Sequence, residues 1–399
     1  MKSHILLNSN IPFLGVKYSP CHTKFLVAST TSKIYSYDNN NNVNNNNNNN
    51  NNNVNNKTLL CTVTEPDGSI YDFAWYPYTK PSLKESYIFL STGSGLPIHL
   101  WDANNGILKA SYCGINKNTE EHMSAISLSF NTHGNHIYAG YNREILIFDA
   151  NCPSTILERR PTCKTRKSKH GQRGLLSTIA FSPDFSGMYA VGSYNGSVCL
   201  YEENSGDLLL DLKLIEEEQF NNSSFLNDTT NDESNKFHQH NGGITQLAWS
   251  PNGHLLLAGK RKDDTINVYD IRGTGNGKIL YKLKRPVNNN QRIYFDIDPS
   301  GKYVFSGSTD HSIYIYSLET GKLVYNNTQT SDDHRVNDVI NGFSLNKGIP
   351  TSVSNNNNNN NITFSSGSSA LVTTGSRETQ FTDDDEEEKK KYTLCEIQF

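Results

Sequence analysis

The sequence repeats one pattern of short apolar segments along most of its length. Each repeat has an alternating apolar segment, a turn such as Ser-Pro, a second apolar segment, a turn rich in Gly, Asn or Asp, and a third segment ending in an aromatic residue. From the first turn to that aromatic residue, the six clear repeats span 17, 24, 16, 18, 18 and 17 residues. Two short strands and a hairpin turn need a span of this order, so the repeat predicts successive antiparallel meanders.

The end of the third segment indicates the kind of repeat. An aromatic residue followed by an acid at this period is typical of WD repeats, which fold into β-propellers. We therefore predict an all-β, WD-repeat β-propeller, and we interpret Trp101, Asp102, Asp149, Tyr269 and Asp270 as structural positions of its blades. Only Trp101-Asp102 is the literal dipeptide. The six closing pairs are Tyr37-Asp38, Trp101-Asp102, Phe148-Asp149, Tyr201-Glu202, Tyr269-Asp270 and Tyr316-Ser317.

A seventh blade is predicted from segments near the two ends of the chain. Residues 336–345, 370–375 and 392–399 are interpreted as its first three strands, and residues 4–7 as its fourth. Pairing the N-terminal strand with the C-terminal strands would close the ring and remove exposed sheet edges. The prediction is thus a seven-bladed propeller in a single domain, residues 1–399.

Polar insertions account for the extra length of the chain. Asparagine fills residues 39–56 apart from Val43 and Val54, and it fills residues 355–361. We predict disordered loop insertions at 39–56, at 216–240 and in the Asn-rich and charged parts of 351–391, because they lack strand periodicity and loop insertions cost little stability. Phase separation is one possible role for the asparagine tracts, and tolerated filler is the interpretation we favour.

Apolar segments and cysteines indicate the cellular setting. The sequence has no apolar run of the roughly 18 residues that cross a membrane, and its N-terminus lacks the apolar core of a signal peptide. The seven cysteines are odd in number and never spaced C-x-x-C, which argues against a disulfide framework or a zinc knuckle. We expect a soluble, intracellular protein without a membrane partner.

The sequence predicts no catalytic site. It lacks the phosphate-binding, dinucleotide-binding, zinc-protease and nucleophile-elbow motifs, and its His and Cys residues have no metal-ligand spacing. His99 alternates with apolar neighbours, so we interpret it as a packed or rim histidine rather than a base. Asp102, Asp149 and Asp270 recur at one place in the repeat, as structural residues do. We therefore predict a scaffold or binding module with no catalytic residue, metal or cofactor.

Basic residues are concentrated in a few predicted loops. The formal net charge is −4, yet residues 159–173 contain seven Lys or Arg and no acid, so the other 29 basic residues face 40 acidic ones. In a four-stranded blade, the turn between the second and third strands lies on the same face as the link to the next blade. Loops of both kinds carry cations, and where they converge we predict an RNA-binding face. The candidate residues are Arg143, Lys164, Arg166, Lys167, Lys169, Arg173, Lys260, Arg261, Lys262, Gln291 and Arg292.

These cations also fit two roles besides RNA binding, and both stay open. Basic loops are often simply solvated, and Asp263 and Asp264 partly neutralise one of them. The cluster from Lys164 to Lys169 is also typical of a nuclear-localisation segment.

Several segments are more specific than a generic propeller. The most distinctive is Asn290-Gln291-Arg292-Ile293-Tyr294-Phe295-Asp296-Ile297-Asp298-Pro299. The others are Leu96-Pro97-Ile98-His99-Leu100-Trp101-Asp102-Ala103, Gly140-Tyr141-Asn142-Arg143, Gly171-Gln172-Arg173-Gly174, Gly242-Gly243-Ile244-Thr245 and Arg261-Lys262-Asp263. Together they resemble the telomerase Cajal body protein family of WD-repeat proteins, and the resemblance covers about residues 12–346.

The resemblance implies a nuclear, non-enzymatic protein of Cajal bodies. It implies recognition of the CAB box in small Cajal body RNAs, with H/ACA ribonucleoproteins, Cajal body proteins and, where its RNA has such a box, the telomerase ribonucleoprotein as partners. The matching motifs imply that RNA is contacted by Arg143, Arg261, Lys262, Gln291 and Arg292. Arg292 could instead anchor the link between two blades. The better-studied members carry a long disordered N-terminal extension that the resemblance does not reach, so functions carried on that extension are not among those expected here.

A second function also stays open. Val268-Tyr269-Asp270-Ile271-Arg272 resembles the aromatic-Asp-x-Arg segment by which some WD propellers bind the adaptor of a cullin-based ubiquitin ligase. The chain would then be a substrate receptor of such a ligase or a generic protein-interaction scaffold. Adaptor binding that is lost on Arg272→Ala would favour this function, whereas salt-sensitive RNA binding would favour the first.

Overall fold

The computed structural model shows seven four-stranded antiparallel sheets that follow one another as the blades of a propeller. The predicted all-β, seven-bladed architecture is therefore confirmed. The structure describes residues 2–39, 57–66, 68–163, 171–212, 242–272, 277–326, 338–347, 353–355, 362–364, 369–375 and 392–398.

The first three blades follow the N-terminal strand β1, Lys2–Ser9. Blade 1 consists of β2 (Phe13–Tyr18), β3 (Lys24–Ser29), β4 (Lys33–Asp38) and β5 (Thr58–Thr64). Blade 2 consists of β6 (Ile70–Trp75), β7 (Ile88–Gly93), β8 (Ile98–Asp102) and β9 (Leu108–Tyr112). A small hairpin, β10 (Gly114–Ile115) and β11 (His122–Met123), precedes blade 3, which consists of β12 (Ser127–Phe130), β13 (His136–Gly140), β14 (Glu144–Asp149) and β15 (Cys152–Pro161).

Blades 4 to 6 are also built from consecutive strands. Blade 4 consists of β16 (Leu176–Phe181), β17 (Met188–Ser193), β18 (Val198–Glu202) and β19 (Leu208–Asp211). Blade 5 consists of β20 (Ile244–Trp249), β21 (Leu255–Lys260), β22 (Thr265–Asp270) and β23 (Lys278–Lys284). Blade 6 consists of β24 (Phe295–Ile297), β25 (Tyr303–Ser306), β26 (Tyr314–Ser317) and β27 (Leu323–Asn326).

Blade 7 joins the two ends of the chain. Its strands are β28 (Ile340–Leu345), β31 (Ser369–Thr374), β32 (Tyr392–Gln398) and, outermost, β1, with a separate hairpin β29 (Val353–Asn355) and β30 (Ile362–Phe364) between β28 and β31. β1 pairs antiparallel with β32, with His4 opposite Glu396 and Ile5 opposite Cys395. The predicted ring closure by an N-terminal strand is thus confirmed, and the strand is longer than the predicted residues 4–7.

Apolar side chains pack between neighbouring blades rather than in one central core. Each of the seven blade interfaces has its own cluster of buried residues. Between blades 2 and 3, for example, Leu100 and Tyr112 pack with Ile137 and Phe148. Inner strands are covered on both faces and read as nearly continuous apolar runs, whereas an outer strand such as β23 alternates between covered and exposed positions. Every blade therefore depends on both of its neighbours.

The loops divide between two faces of the ring. The first strands of neighbouring blades, such as β6 with β12 and β16 with β20, contact each other around the axis. The turns between second and third strands and the links between blades form one face, which we call the link face. The remaining turns form the opposite face, which we call the turn face. One contact within the link face is the bond from the Arg143 amide to the Gly174 carbonyl, 3.0 Å.

One departure from the regular repeat has a local cause in the structure. The 24-residue interval belongs to blade 2, where the connection between β6 and β7 contains a 3-10 helix, Lys84–Ser86. The predicted insertions at 39–56 and 216–240 lie outside the described residues, apart from Asn39. The predicted insertion region 351–391 contains β31, as the prediction of a second strand at 370–375 required.

We predict that ring closure depends on the covered side chains of β1. Leu6 and Leu7 pack against the cluster between blades 7 and 1, while Ile5 in the same strand is exposed. The double variant Leu6→Ala/Leu7→Ala should lower the free energy of unfolding by about 2–4 kcal/mol, because both side chains are half-buried. Urea denaturation measures this loss. Ile5→Ala is the matched control and should change the free energy by less than about 0.5 kcal/mol; equal effects would contradict the packing role.

Candidate nucleic-acid interface

A carboxylate at the centre of the ring connects several blades. Asp72 is buried in β6, and its Oδ1 atom accepts hydrogen bonds from the Phe73 amide at 2.9 Å and from Lys17 Nζ of blade 1 at 3.2 Å. Arg292 Nη1 lies 3.5 Å from the same oxygen, and Oδ2 accepts a bond from the Leu128 amide of blade 3 at 3.1 Å. These contacts join blades 1, 2 and 3 to the link before blade 6.

Arg292 extends this connection to blade 4. Its Nη2 atom donates to the Ser177 carbonyl at 3.2 Å, and Nη1 donates to the Tyr294 hydroxyl at 3.2 Å. Burial lowers the pKa of Arg292, but Tyr294 and Asp72 outweigh burial, so the pKa is raised overall and the guanidinium stays charged. The side chain is mostly covered and lines cavities on both sides of it along the channel. This placement matches the anchoring role left open by the sequence, and RNA contact by Arg292 stays a prediction.

Gln291 has both ends of its side chain occupied. The residue is 8% exposed, and its Nε2 atom donates to the Gly375 carbonyl of blade 7 at 2.8 Å. Its Oε1 atom accepts a bond from Asn289 Nδ2 at 2.7 Å. Gln291 therefore fixes the shape of the link between blades 5 and 6 against blade 7.

Arg285, in the same link, is also buried and bonded within the protein. It is 1% exposed, and its Nη1 atom donates to the Ile293 carbonyl at 3.0 Å and to Ser306 Oγ at 2.7 Å. Burial lowers its pKa, and Asp263 partly offsets this. This arginine of the link is therefore inside the protein and does not add to the charge of the link face.

Two cations of the basic segment, residues 159–173, lie in the long strand β15. Arg159 Nη1 lies 3.3 Å from Glu144 Oε2, and Arg160 forms two bonds with Glu158, at 2.8 and 2.7 Å. Both arginines are therefore paired within blade 3. Lys164, Arg166, Lys167 and Lys169 lie outside the described residues.

The structural WD positions make local contacts within their blades. Trp101 Nε1 donates to Ser91 Oγ at 2.8 Å, and both lie beside the buried Glu65. His99 is buried, with Nδ1 2.7 Å from Glu65 Oε2, so of the two predicted alternatives it is the packed histidine. Tyr269 in β22 is fully buried.

The recurring acids fix the turns that follow the third strands. Asp102 Oδ1 accepts a bond from the Asn104 amide, and Asp149 Oδ1 from the Asn151 amide, both at 2.8 Å. Asp270 accepts the Arg272 amide in the same way at 3.1 Å and also holds its guanidinium, with Nε at 2.9 Å. The Arg272 side chain is 54% exposed on the turn face, and adaptor binding there stays a prediction.

The link face opens into a cavity of about 720 Å³ at the mouth of the central channel. Tyrosines, amides and two arginines from different blades line it. Tyr71 and Asn290 are exposed there, and the Arg261 guanidinium carbon lies 4.0 Å above the centre of the Tyr194 ring. The residues at the mouth that carry aromatic, amide or cationic groups are Tyr71, Tyr194, Tyr294, Tyr392, Asn290, Gln291, Asn341, Arg261 and Arg292.

The other predicted cations lie on loops of the same face. Arg143 sits in the turn between β13 and β14 with a positive φ of 62°, and Arg173 lies in the link to blade 4. Lys260 ends β21, and Lys262 is exposed with its amide bonded to the Asn289 carbonyl at 3.3 Å. The acids of this turn are used locally: Asp263 Oδ1 accepts the Thr265 amide at 2.9 Å, and Asp264 Oδ1 accepts the Val287 amide at 2.7 Å.

Comparison with known proteins identifies the class. The WD domain, G-beta repeat family model matches residues 231–270 and 287–317, which include blade 5 strands and blade 6 strands. Together with the seven four-stranded blades, this match shows that the fold is a β-propeller containing WD repeats.

The relatives narrow the class further. Telomerase Cajal body protein 1 from Mus musculus is 33% identical over 291 residues, 71% of this chain and 47% of the mouse protein. The Homo sapiens protein of that name is 34% identical over 251 residues, 63% of this chain and 40% of its own length. The Drosophila melanogaster homologue is 29% identical over 290 residues, 71% of this chain and 45% of its own length. The chain is thus similar to the telomerase Cajal body proteins, which confirms the resemblance indicated by its motifs, and it spans about half the length of these relatives.

Neither a membrane-spanning helix nor a metal-binding group is found in the described ranges. Within them, no helix has the length and apolar character to cross a membrane. The same ranges contain no group of three or more His, Cys, Asp or Glu residues placed to hold a metal ion.

We predict that Asp72 is a major contributor to stability. Asp72→Asn removes the charge that faces Lys17 and Arg292, so the free energy of unfolding should fall by about 2–4 kcal/mol, as expected when one partner of a buried ion pair is lost. Urea denaturation measures the change. Lys109→Met breaks an exposed ion pair with Asp102 and is the control, with an expected loss of less than about 1 kcal/mol. A similar small loss for Asp72→Asn would contradict its central role.

Proposed function

We propose that this chain is a non-enzymatic, RNA-binding scaffold of the nucleus that recognises the CAB box of small Cajal body RNAs and directs their ribonucleoproteins to Cajal bodies. The H/ACA ribonucleoproteins and Cajal body proteins are its proposed partners, and telomerase is one where its RNA carries a CAB box. The names of the relatives, which contain telomerase and Cajal body, support this proposal. The observation that carries it is the open channel mouth on the link face, where tyrosine rings, amides and arginines meet.

The cations around the mouth suit a phosphate backbone. Arg143, Arg173, Lys260, Arg261 and Lys262 come from three loops on one face, and basic side chains on separate loops can follow a strand across a surface. This attraction does not depend on the base sequence of the RNA. It would supply affinity and salt dependence rather than a preference for one RNA.

The mouth itself suits unpaired bases. Tyr71 offers an exposed ring, and the Arg261 guanidinium lies over the Tyr194 ring, where it offers a cationic group for stacking with a base. The exposed Asn290 amide has both donors and an acceptor for the edge of a base. Single-stranded loops expose such edges, whereas A-form helices hide them, so a terminal loop is the proposed target.

We predict that the link face binds the backbone of the loop. The full chain with Lys260, Arg261 and Lys262 changed to Glu should bind a stem-loop RNA carrying a CAB box about 100-fold more weakly at low salt. The slope of log K against log salt should fall by about 2, at about 0.7 for each lost phosphate contact. Fluorescence anisotropy over a salt series measures both.

The matched control reverses three exposed lysines of the turn face, Lys84, Lys302 and Lys322, and so makes the same change in charge. It should leave affinity within about threefold, because the distant charges are screened. Equal losses for the two triple variants would contradict binding at the link face. Crosslinking in cells followed by sequencing should enrich small Cajal body RNAs near their CAB loops, and no enriched RNA would overturn the proposed function.

We predict separately that tyrosine rings at the mouth distinguish the loop sequence. Tyr71→Ala and Tyr194→Ala should each weaken binding of the CAB-box RNA about tenfold or more, the effect of losing one base-stacking contact. The preference over an RNA with a scrambled loop should fall at the same time. Tyr78→Ala, an exposed tyrosine of the turn face, is the control and should change neither quantity. Unchanged affinity and unchanged loop preference in both test variants would show that bases do not enter the mouth.

A further inference from the structure

A second groove lies on the turn face, between blades 3 and 4. It encloses about 430 Å³ and is bounded by the turn between β12 and β13, the turn between β16 and β17, and the turn between β18 and β19. Strand β15 forms one side. The groove is remote from the channel mouth in the fold, since its loops belong to the opposite face of the ring.

The walls of the groove combine aromatic and apolar surface. Phe185 is 62% exposed, and its ring centre lies 5.9 Å from that of the exposed His133. Leu157 is half-exposed on the side formed by β15, and Tyr138 lies deeper in the groove. An apolar rim of this kind is costly to leave in water and suits contact with a partner.

The basic group inside the groove is already neutralised. Arg160 is almost fully buried, and two of its nitrogens bond to the two carboxylate oxygens of Glu158. Burial by itself lowers the pKa of Arg160, but Glu158 and Tyr189 raise it overall, so the pair stays charged. Arg160 therefore contributes no net positive charge for an anionic ligand.

Glu203 is a second acid of the groove, and Arg160 does not pair with it because Arg160 is bound to Glu158. One of its oxygens accepts a bond from Asn131 Nδ2 at 2.8 Å, and no Lys or Arg of the described residues forms an ion pair with it. The three turns around the groove and the turn after β14 contain no Lys or Arg. Together with the strand ends beside them, they carry the acids Asp149, Asp184, Glu202, Glu203 and Asp207.

The local charge and the aromatic rim together define one kind of occupant. A guanidinium is planar, stacks on aromatic rings and binds a carboxylate through two parallel hydrogen bonds. We infer that this groove binds an arginine side chain of a basic segment in a protein partner, with the guanidinium against Glu203 and its flat face toward the exposed Phe185 ring. This inference does not rest on the proposed RNA function, because it concerns other residues on the other face.

The test uses the full chain and a short fluorescein-labelled peptide that alternates arginine and glycine. Anisotropy should show saturable binding, weaker binding of the same peptide with lysine for arginine, and none with glutamate for arginine. Glu203→Gln keeps the shape of the side chain and should weaken the arginine peptide about tenfold, as should Phe185→Ser. Asp207→Asn, an exposed acid on the same turn, is the control and should change affinity less than about twofold.

Several results would overturn this inference. Equal weakening by Asp207→Asn and Glu203→Gln would mean that charge acts diffusely, without a defined site. No binding of the arginine peptide, or binding unchanged in both test variants, would exclude the groove. A change in the sedimentation of the chain alone in Glu203→Gln would identify a second copy as the occupant. Reduced affinity of Glu203→Gln for the CAB-box RNA would mean that RNA reaches this face. Failure of the RNA experiments on the link face would not affect this inference, because they test other residues.

Discussion

The propeller depends on the pairing of the first strand of the chain with the last. Each blade buries apolar side chains against both neighbours, so the stability of the ring is distributed over seven interfaces. Lys2–Ser9 completes blade 7 by pairing with Tyr392–Gln398, which removes the free edge that an open ring would expose. The ion pair from Lys57 Nζ to Glu396, 3.2 Å long and nearly covered, holds blade 1 to the same strand. Closure therefore joins the two ends of the sequence in one sheet, and a covered ion pair ties that sheet to blade 1.

The channel cluster is a second connection, made across the ring rather than around it. Asp72 receives contacts from blades 1, 2 and 3 and from Arg292, and Arg292 also reaches blade 4. Arg292 lines the channel mouth as well, so stability and the proposed RNA site share this residue. A substitution of Arg292 would change both at once. The turn with Lys260, Arg261 and Lys262 takes no part in this cluster; Arg261 lines the mouth, and Lys262 is exposed beside it in sequence.

The two faces differ in chemistry because they are made from different loops of the same repeat. The acids after third strands, such as Asp102, Asp149 and Asp270, fix tight turns and place negative charge on the turn face in blade after blade. The links vary in length and composition, and cations collect there. The two proposed sites, one for RNA and one for a basic protein segment, therefore lie on faces of different chemistry.

The sequence by itself determined the class of fold, the number of blades and the strand that closes the ring. These features follow from local periodicity, since a strand, a turn and a strand of fixed length recur in each repeat. The sequence also placed the cationic loops on one face. It did not show that Gln291 and Arg285 are buried, or that Arg159 and Arg160 are paired within blade 3. Nor did it show that a groove lies beside Glu203. Those facts depend on contacts between distant parts of the chain; Asp72 and Arg292 are 220 residues apart. Only the tertiary structure decided them, because burial and pairing of a side chain are set by the neighbours that the closed ring brings to it.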